Sequence, residues 1–219
     1  MSRLTGLSAR MMVDQYKRVL TNMGYAFFER GDYNLNIVGV RNESGDASKF
    51  DDFLKVFYKI DGDWVVDVYP ATTEPGPSIL RRPLKSVRHK GTAILKPNQY
   101  RSVYQIGTHG GKRKYTALVQ RGGPVEVIRD NDRDSQADIE GNPIEKGMFG
   151  INIHRHWGSD EREYTGGVSA GCQVFQSSVD FYEFMDTCNK SADTWGNGFT
   201  YTLLDEVDVK KHGLEYDIV

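Results

Sequence analysis

The stretch Phe53–Tyr69, FLKVFYKIDGDWVVDVY, decides the fold class of this chain. Two runs rich in β-branched and aromatic residues flank Asp61-Gly62-Asp63, and this pattern predicts a β-hairpin. Further short runs of the same composition, each bounded by Gly, Pro, Asn or Asp, lie along the chain. They are NLNIVGV, GTAIL, RSVYQIGTH, YTALVQ, VEVIR, MFGINIHR and FTYTLLDE. The sequence therefore predicts a mainly β chain of the α+β class.

Two helices accompany these strands. LSARMMVDQYKRVLTNMGYAFFERGDYN, residues 7–34, places apolar residues at helical spacing, with Ser8 as the predicted cap and Gly24 as the predicted end. SVDFYEFMDTCNKSA, residues 178–192, predicts a second helix. We therefore divide the chain into an N-terminal helical segment, 1–32, and a β-rich domain, 33–219.

Composition excludes some classes of function. The 219 residues hold 28 Lys and Arg against 30 Asp and Glu, so no basic surplus is available for nucleic acid. The basic runs RRPLKSVRHK (81–90) and GGKRKY (110–115) are interpreted as solvated loops, with attraction of substrate as the functional alternative. No apolar run approaches the roughly 18 residues of a membrane span. The first residues, MSRLTGLSARMM, lack the apolar region of a signal peptide, which predicts synthesis in the cytoplasm.

Two motifs do not fit their usual chemistry. GTHGGK, residues 107–112, lacks the glycine and Ser/Thr positions of a phosphate loop and predicts a glycine-rich hairpin instead. DNDRDSQADIEG, residues 130–141, begins as a calcium loop but has Ser135 and Gly141 where Gly and Glu are needed, which favours a solvated acidic loop.

A zinc site is a further alternative. His154 and His156 lie two apart, so on a strand both rings would point the same way. With His109, Asp160 or Cys172 they could supply three zinc ligands.

The segment GMFGINIHRHWGSDEREYTGGVSAGCQVF, residues 147–175, contains the elements of thiol acyl transfer. A predicted strand, 148–153, delivers His154, which can take the thiol proton and hold the thiolate of Cys172 as an ion pair. Gly171 leaves room for a substrate carbonyl, and backbone N–H groups near Gly171 and Cys172 could face the oxyanion. The N-terminus of the following helix would lower the pKa of the thiol. A buried thiol and a hydrogen-bonded histidine are the structural alternative.

The same segment resembles the catalytic motif of the L,D-transpeptidases, the YkuD-type domain. INIH ends at His154, and SAGC ends at Cys172, eighteen residues later. The resemblance implies a YkuD-like β-sandwich or barrel, with Cys172 as nucleophile and His154 as general base oriented by a backbone carbonyl. It implies that Ser169 and Gly171 shape the site, and that the Gly171 and Cys172 N–H groups form the oxyanion hole. It further implies a thioester acyl-enzyme on peptidoglycan stem peptides, without a cofactor.

This sequence departs from the family at several positions. Arg155 replaces the glycine after the motif histidine, Ala170 replaces the histidine after the motif serine, and Gln173-Val174 replaces the residues that end in arginine. Because these groups serve transpeptidation, we favour hydrolysis by an L,D-carboxypeptidase or endopeptidase. Arg155 and His156 could hold a substrate carboxylate, and Ala170 and Gln173 fall at substrate-binding positions.

The missing export signal favours a phage-type lytic enzyme that reaches the bacterial wall by another route. Three alternatives remain at this point: a transpeptidase, a zinc hydrolase, and a non-catalytic cell-wall-binding or virion module.

Overall fold

The computed structural model describes residues 1–158 and 161–212. Within these ranges the strands are β1 (Ser2–Leu4), β2 (Asn36–Arg41), β3 (Asp52–Ile60), β4 (Asp63–Thr72), β5 (Thr92–Leu95), β6 (Asn98–His109), β7 (Tyr115–Gln120), β8 (Val125–Asp130), β9 (Ile144–Gly147), β10 (Ile153–Arg155), β11 (Gln173–Phe175) and β12 (Phe199–Asp205). The helices are α1 (Gly6–Asn22), α2 (Pro77–Arg81), α3 (Ser178–Trp195) and α4 (Glu206–Lys211). The predicted mainly β class is confirmed.

Eight strands close into a barrel in the order β4-β11-β10-β7-β6-β12-β2-β3, and β3 pairs back onto β4 to complete the ring. Most neighbours are antiparallel, but β10–β11 and β12–β2 are parallel. β1 adds to the free part of the β4 edge. Closure leaves no open barrel edge, because each strand of the ring has two neighbours.

The β3–β4 hairpin confirms the prediction from Phe53–Tyr69. Its two-residue turn, Asp61-Gly62, has positive φ at both positions, 52° and 82°. Such a turn matches the right-handed twist of the flanking strands, which is why Asp-Gly is favoured there. The predicted glycine-rich hairpin is also present, since β6 and β7 pair from Tyr104↔Gln120 to His109↔Tyr115.

Alternate residues of the strands pack into two separate apolar clusters. The larger one contains the buried rings of Tyr58, Tyr69 and Tyr104, together with the apolar face of α3. That face consists of Phe181, Phe184, Met185 and Cys188, and α3 packs against β10 and β11. α3 therefore lies beside β10, which carries His154, and beside β11, which directly follows Cys172.

The N-terminal segment packs against the barrel. Val13, Tyr16 and Leu20 of α1 are buried against Phe57 of β3 and Val66 of β4. Val66 lies on the face of β4 opposite to Val65 and Tyr69, which belong to the larger cluster. The helix is thus held by an amphipathic stripe. In the described ranges no helix has the length and apolar content needed to cross a bilayer.

The predicted bounds of α1 were partly wrong. The helix begins at Gly6, because Thr5 is extended (φ −140°, ψ 172°) and takes the N-cap position, so Ser8 lies inside the first turn. It ends at Asn22, and Gly24 follows with φ +76°, as predicted for a stop. The rest of the quoted stretch, 25–34, is not helical, because this left-handed glycine ends the helical backbone.

The predicted strand over 148–153 was also wrong. β10 contains only Ile153, His154 and Arg155. Upstream, the Gln120 side chain replaces a strand partner: its Oε1 accepts from the N–H groups of Phe149, Gly150 and Ile151 at 3.1, 2.9 and 3.2 Å. Gly150 has φ +72°, which is incompatible with extended backbone.

Candidate active site

Two parallel strands bring the motif residues together. β10 and β11 pair with Ile153↔Gln173 and His154↔Val174, so Cys172, directly before β11, lies next to Asn152. The Asn152 N–H donates to Cys172 Sγ at 3.4 Å, and Sγ donates to the Gly150 carbonyl at 3.5 Å. In the part of the chain that the structure describes, no hydrogen bond joins the thiol directly to the His154 ring. The site therefore holds both groups on neighbouring strands, with the thiol bonded to backbone.

The His154 ring has a defined orientation. The ring is buried, and its Nδ1 lies 2.7 Å from the Arg155 carbonyl and 3.2 Å from the Tyr115 hydroxyl. A carbonyl can only accept, so Nδ1 carries the proton and Nε2 presents a lone pair. The Tyr115 hydroxyl donates to the same carbonyl at 3.0 Å. His154 is thus oriented by a backbone carbonyl, as the resemblance implied, and its free nitrogen can accept a proton.

A second histidine accompanies His154. The ring of His109, at the end of β6, stacks on the His154 ring with centroids 4.0 Å apart and planes inclined by 20°. The Asn152 side-chain amide is 3.0 Å from His109 Nδ1. Because Asn152 Oδ1 accepts from the Gln120 N–H at 2.9 Å, the amide nitrogen faces His109. His109 Nδ1 is therefore the acceptor, and its proton lies on Nε2.

Sequence reasoning missed this arrangement. It considered His109 only as a zinc ligand and did not consider Asn152 or Tyr115. The spacing Asn152-x-His154 was an available signal, because residues two apart in extended chain share a side. His109 could be placed only after the pairings β6–β7 and β7–β10 were known.

Burial makes the resting pair neutral. It raises the pKa of the Cys172 thiol to about 11, against the opposing hydrogen bond from Asn152 N–H. Burial, followed by the neighbouring His109, lowers the pKa of His154 to about 3. Burial also lowers the pKa of His109. The pKa shifts of Cys172 and His154 favour a neutral thiol and a neutral imidazole over the expected thiolate–imidazolium pair. Cys172 is not itself at a helix N-terminus, because β11 lies between it and Ser178, where α3 begins.

The turn before Cys172 is built by Ser169 and Gly171. The fully buried Ser169 hydroxyl accepts from the Gly171 N–H at 3.1 Å and donates to the Cys172 carbonyl at 2.8 Å. Ser169 therefore shapes the turn, while the Gly171 N–H is already used and does not join the oxyanion hole. Among the described residues the Cys172 N–H has no acceptor, so it is the backbone donor that remains available for an oxyanion.

The missing side chain of Gly171 makes room for the backbone of β5 and not for a substrate carbonyl. Its φ is +115°, and a Cβ there would collide with the Ala93 carbonyl of β5. The small sheet β5-β8-β9 thus packs directly against the turn that carries Cys172. Ala170, between the two shaping residues, is half-buried.

The predicted substrate-binding residues separate into two groups. Gln173 is fully buried: its Oε1 accepts from the Tyr201 hydroxyl at 2.8 Å, and its Nε2 donates to the Gly171 carbonyl at 3.3 Å. It is therefore an interior residue, which corrects the expectation that it touches substrate. His156 is 3% exposed, with Nδ1 2.8 Å from the Trp157 carbonyl and Nε2 buried without a partner. Arg155 is half-buried and borders a cavity.

The residues of the zinc alternative do not assemble. Among the described residues, three possible ligand atoms converge only at Asp130, Asp132 and Asp138, within 4.8 Å of one another and away from the histidines. His109 and His154 stack face to face instead of converging on one point. Asp160, the other ligand considered, lies outside the described residues. In the acidic loop, Asp134 Oδ1 accepts from the Gln136 N–H, so this carboxylate serves the turn itself.

No protein-family model matches this chain, and no curated protein matches it in sequence.

Proposed function

We propose that this protein is a cysteine peptidase that cleaves peptidoglycan stem peptides through a thioester acyl-enzyme, as an L,D-carboxypeptidase or endopeptidase. One observation carries the proposal: the parallel pairing of β10 and β11 brings His154 and Cys172, directly before β11, to one place, and the His154 tautomer leaves Nε2 free to accept a proton. The substrate class comes from the resemblance of INIH and SAGC to the L,D-transpeptidase motif.

The neutral pair suggests the order of events. Sγ attacks the substrate carbonyl while His154 Nε2 takes the thiol proton, so the thiolate never needs to accumulate. The Cys172 N–H donates to the developing oxyanion. The leaving amine takes the proton from His154, and the thioester forms. A water molecule, deprotonated by the same nitrogen, then attacks the thioester, releasing the acid and restoring the thiol.

The proton transfer sets a requirement on the protonation state of His109. When His154 becomes an imidazolium, a charged ring stacked at 4.0 Å would oppose it, so His109 must stay neutral. The amide of Asn152 favours this state, because it donates to His109 Nδ1. Asn152 also donates its backbone N–H to Sγ, so one residue positions the thiol and the second histidine.

A second candidate has an observation in its favour. The raised pKa of the Cys172 thiol fits a non-catalytic wall-binding or virion module equally well. The cross-linking alternative uses the same acyl-enzyme and differs only in the acceptor, an amine in place of water.

The test is mass spectrometry of defined muropeptides incubated with the protein, with iodoacetamide and chelator in parallel. We expect loss of a terminal D-residue or a split cross-bridge, blocked once iodoacetamide has alkylated Cys172 and unaffected by chelator. Cys172→Ala should abolish the mass change with its melting curve intact, whereas Cys188→Ala, the matched change in the α3 core, should keep it. Activity in Cys172→Ala would contradict the proposal, and a product joined to an added amine would identify the transpeptidase.

A further inference from the structure

A cavity next to the candidate active site has an unusual charge. It has a volume of about 440 Å³ and lies between the start of β7, the segment after β10 and the first turn of α3. We call it the basic cavity and define it by Arg113, Lys114, Tyr115, Arg155, Trp157 and Tyr182. Tyr115 belongs to both places, because its hydroxyl contacts His154 Nδ1. The basic cavity therefore adjoins the residue that we propose as general base.

Within the described residues, the cations of this cavity have no counter-charge. Of the described residues that line it, three are cationic (Arg113, Lys114 and Arg155) and none is acidic. None of the three forms an ion pair with any carboxylate in the ranges 1–158 and 161–212. In a chain with net charge −2, such a concentration of unpaired cations favours an anionic ligand.

Arg155 is held in a fixed orientation. Its guanidinium lies 4.6 Å from the centroid of the Tyr115 ring and 5.5 Å from that of Tyr182. Its Nη1 donates to the carbonyls of His156 and Gly158 at 3.0 and 3.4 Å. Nε is buried without an acceptor, and Nη2 has none among the described residues. Because Nε has almost no exposed surface, Nη2 is the guanidinium nitrogen that remains to donate to a carboxylate.

The walls suit an organic ligand and not a bare ion. Trp157 and Tyr182 are 45% and 53% exposed, which is unusually high for such large side chains at a cavity. Aromatic faces of this kind pack against the chain that carries the charged group. The volume lies near the lower end of the roughly 300–1,000 Å³ of ligand sites, so it fits one or two peptide units.

We propose that the basic cavity is the subsite that holds a carboxylate of the stem peptide, with Arg155 as its hydrogen-bond donor and Lys114 and Arg113 as attracting charges. This inference rests on the proposed function for the identity of the peptide. It gives the run GGKRKY a role in binding, where the sequence alone favoured a solvated loop.

The test measures binding and not turnover. Calorimetric titration of Cys172→Ala protein uses two probes: a defined stem peptide with free carboxylates and the same peptide with these groups amidated. We expect the acid to bind roughly tenfold or more tightly than the amide, since a hydrogen bond to a charged group contributes about 1.5–3 kcal/mol. Arg155→Gln and Lys114→Gln should each remove most of this difference without weakening the amide.

The controls separate this inference from the proposed function. Lys114 is exposed, so Lys114→Gln tests the cavity even where Arg155→Gln fails to fold, and Lys85→Gln, an exposed cation outside the cavity, should change nothing. Equal affinity for acid and amide, or full affinity for the acid in Lys114→Gln and Arg155→Gln, overturns the subsite. Unchanged muropeptide masses with the native protein, together with the expected acid preference, support the subsite while refuting the peptidase.

Discussion

The protonation state of the Cys172 thiol determines its reactivity. The thiol lies between the Asn152 N–H and the Gly150 carbonyl, and only the first of these favours the thiolate. The nearby imidazole of His154 has its pKa lowered to about 3, so it does not supply a positive charge before a substrate arrives. The site therefore differs from cysteine enzymes that store a thiolate, and its reactivity should depend strongly on pH.

We predict that iodoacetamide alkylates Cys172 slowly at neutral pH and roughly tenfold faster for each pH unit up to about 11. The reason is that the thiolate is the reactive species and burial raises the pKa of this thiol to about 11. Mass spectrometry of the Cys172 peptide over time measures the rate. Cys188 is fully buried and serves as an internal reference that stays unmodified while the fold persists.

His154→Ala distinguishes the neutral pair from an ion pair. With a neutral pair, the alkylation rate at pH 7 should stay within a few-fold of the native rate. A plateau of the native rate between pH 5 and 8, lost in His154→Ala, would instead establish a stored thiolate.

His154 and His156 should differ in their contribution to kcat. We predict that His154→Ala lowers kcat on a defined muropeptide by about 10²–10⁴, the range for loss of a general base. His156→Ala should have a far smaller effect, because His156 Nδ1 is tied to the Trp157 carbonyl and the ring belongs to the structural segment after β10. Initial rates measured on folded variants decide the matter, and a larger loss for His156→Ala would mean that the general base is misassigned.

At the scale of the elements, the turn before β11 depends on a glycine. Gly171→Ala should destabilise the protein by about 2–4 kcal/mol, because positive φ is costly for alanine and the new Cβ collides with the β5 backbone. Urea unfolding measures the change. Gly24→Ala is the matched control: it also has positive φ, +76°, but no neighbour within 4 Å, so about 1 kcal/mol is expected. Equal losses of unfolding free energy in Gly171→Ala and Gly24→Ala would show that the contact with Ala93 does not contribute to stability.

The elements also show what sequence can predict. The β3–β4 hairpin and α3 were predictable because their signals are local: Asp61-Gly62 supplies the turn, and Phe181, Phe184 and Cys188 recur at helical spacing. β1 and β11 were not, because strands of three residues form only through partners far away along the chain. The segment 148–152 looked like a strand until the Gln120 side chain took its backbone N–H groups.

The site was predictable in its residues but not in its electrostatics. INIH and SAGC indicate a histidine and a cysteine, and strand pairing brings them to neighbouring positions. Their protonation depends on burial and on the stacked His109, which comes from a strand 45 residues before His154 in sequence. Neither property follows from spacing.

Across the whole molecule, the small net charge conceals a separation of charge. Arg113, Lys114 and Arg155 gather at the basic cavity. Elsewhere, the buried Arg41 faces three carboxylates: Glu74 and Asp205 lie 3.8 and 3.7 Å away, and Asp52 is buried beside them. One cation cannot balance three anions in a desolvated place, and burial raises the pKa of Asp52 to about 6 and that of Glu74 to about 7.

This excess of buried acid should make stability fall at alkaline pH. The folded-state pKa of Glu74, about 7, is above its ordinary value of 4.5. Its contribution to stability is therefore complete below pH 4.5 and is lost as the pH rises through 7. We predict that Glu74→Gln, which keeps the shape and removes the charge, raises the free energy of unfolding at pH 8 by about 1–3 kcal/mol and changes it little at pH 5. Urea unfolding at the two pH values measures this.

Glu140→Gln, at an exposed acidic residue lining the same region, should show no such pH dependence. Destabilisation by Glu74→Gln that is greater at pH 8 than at pH 5 would mean that the ion pair with Arg41 outweighs the cost of burial.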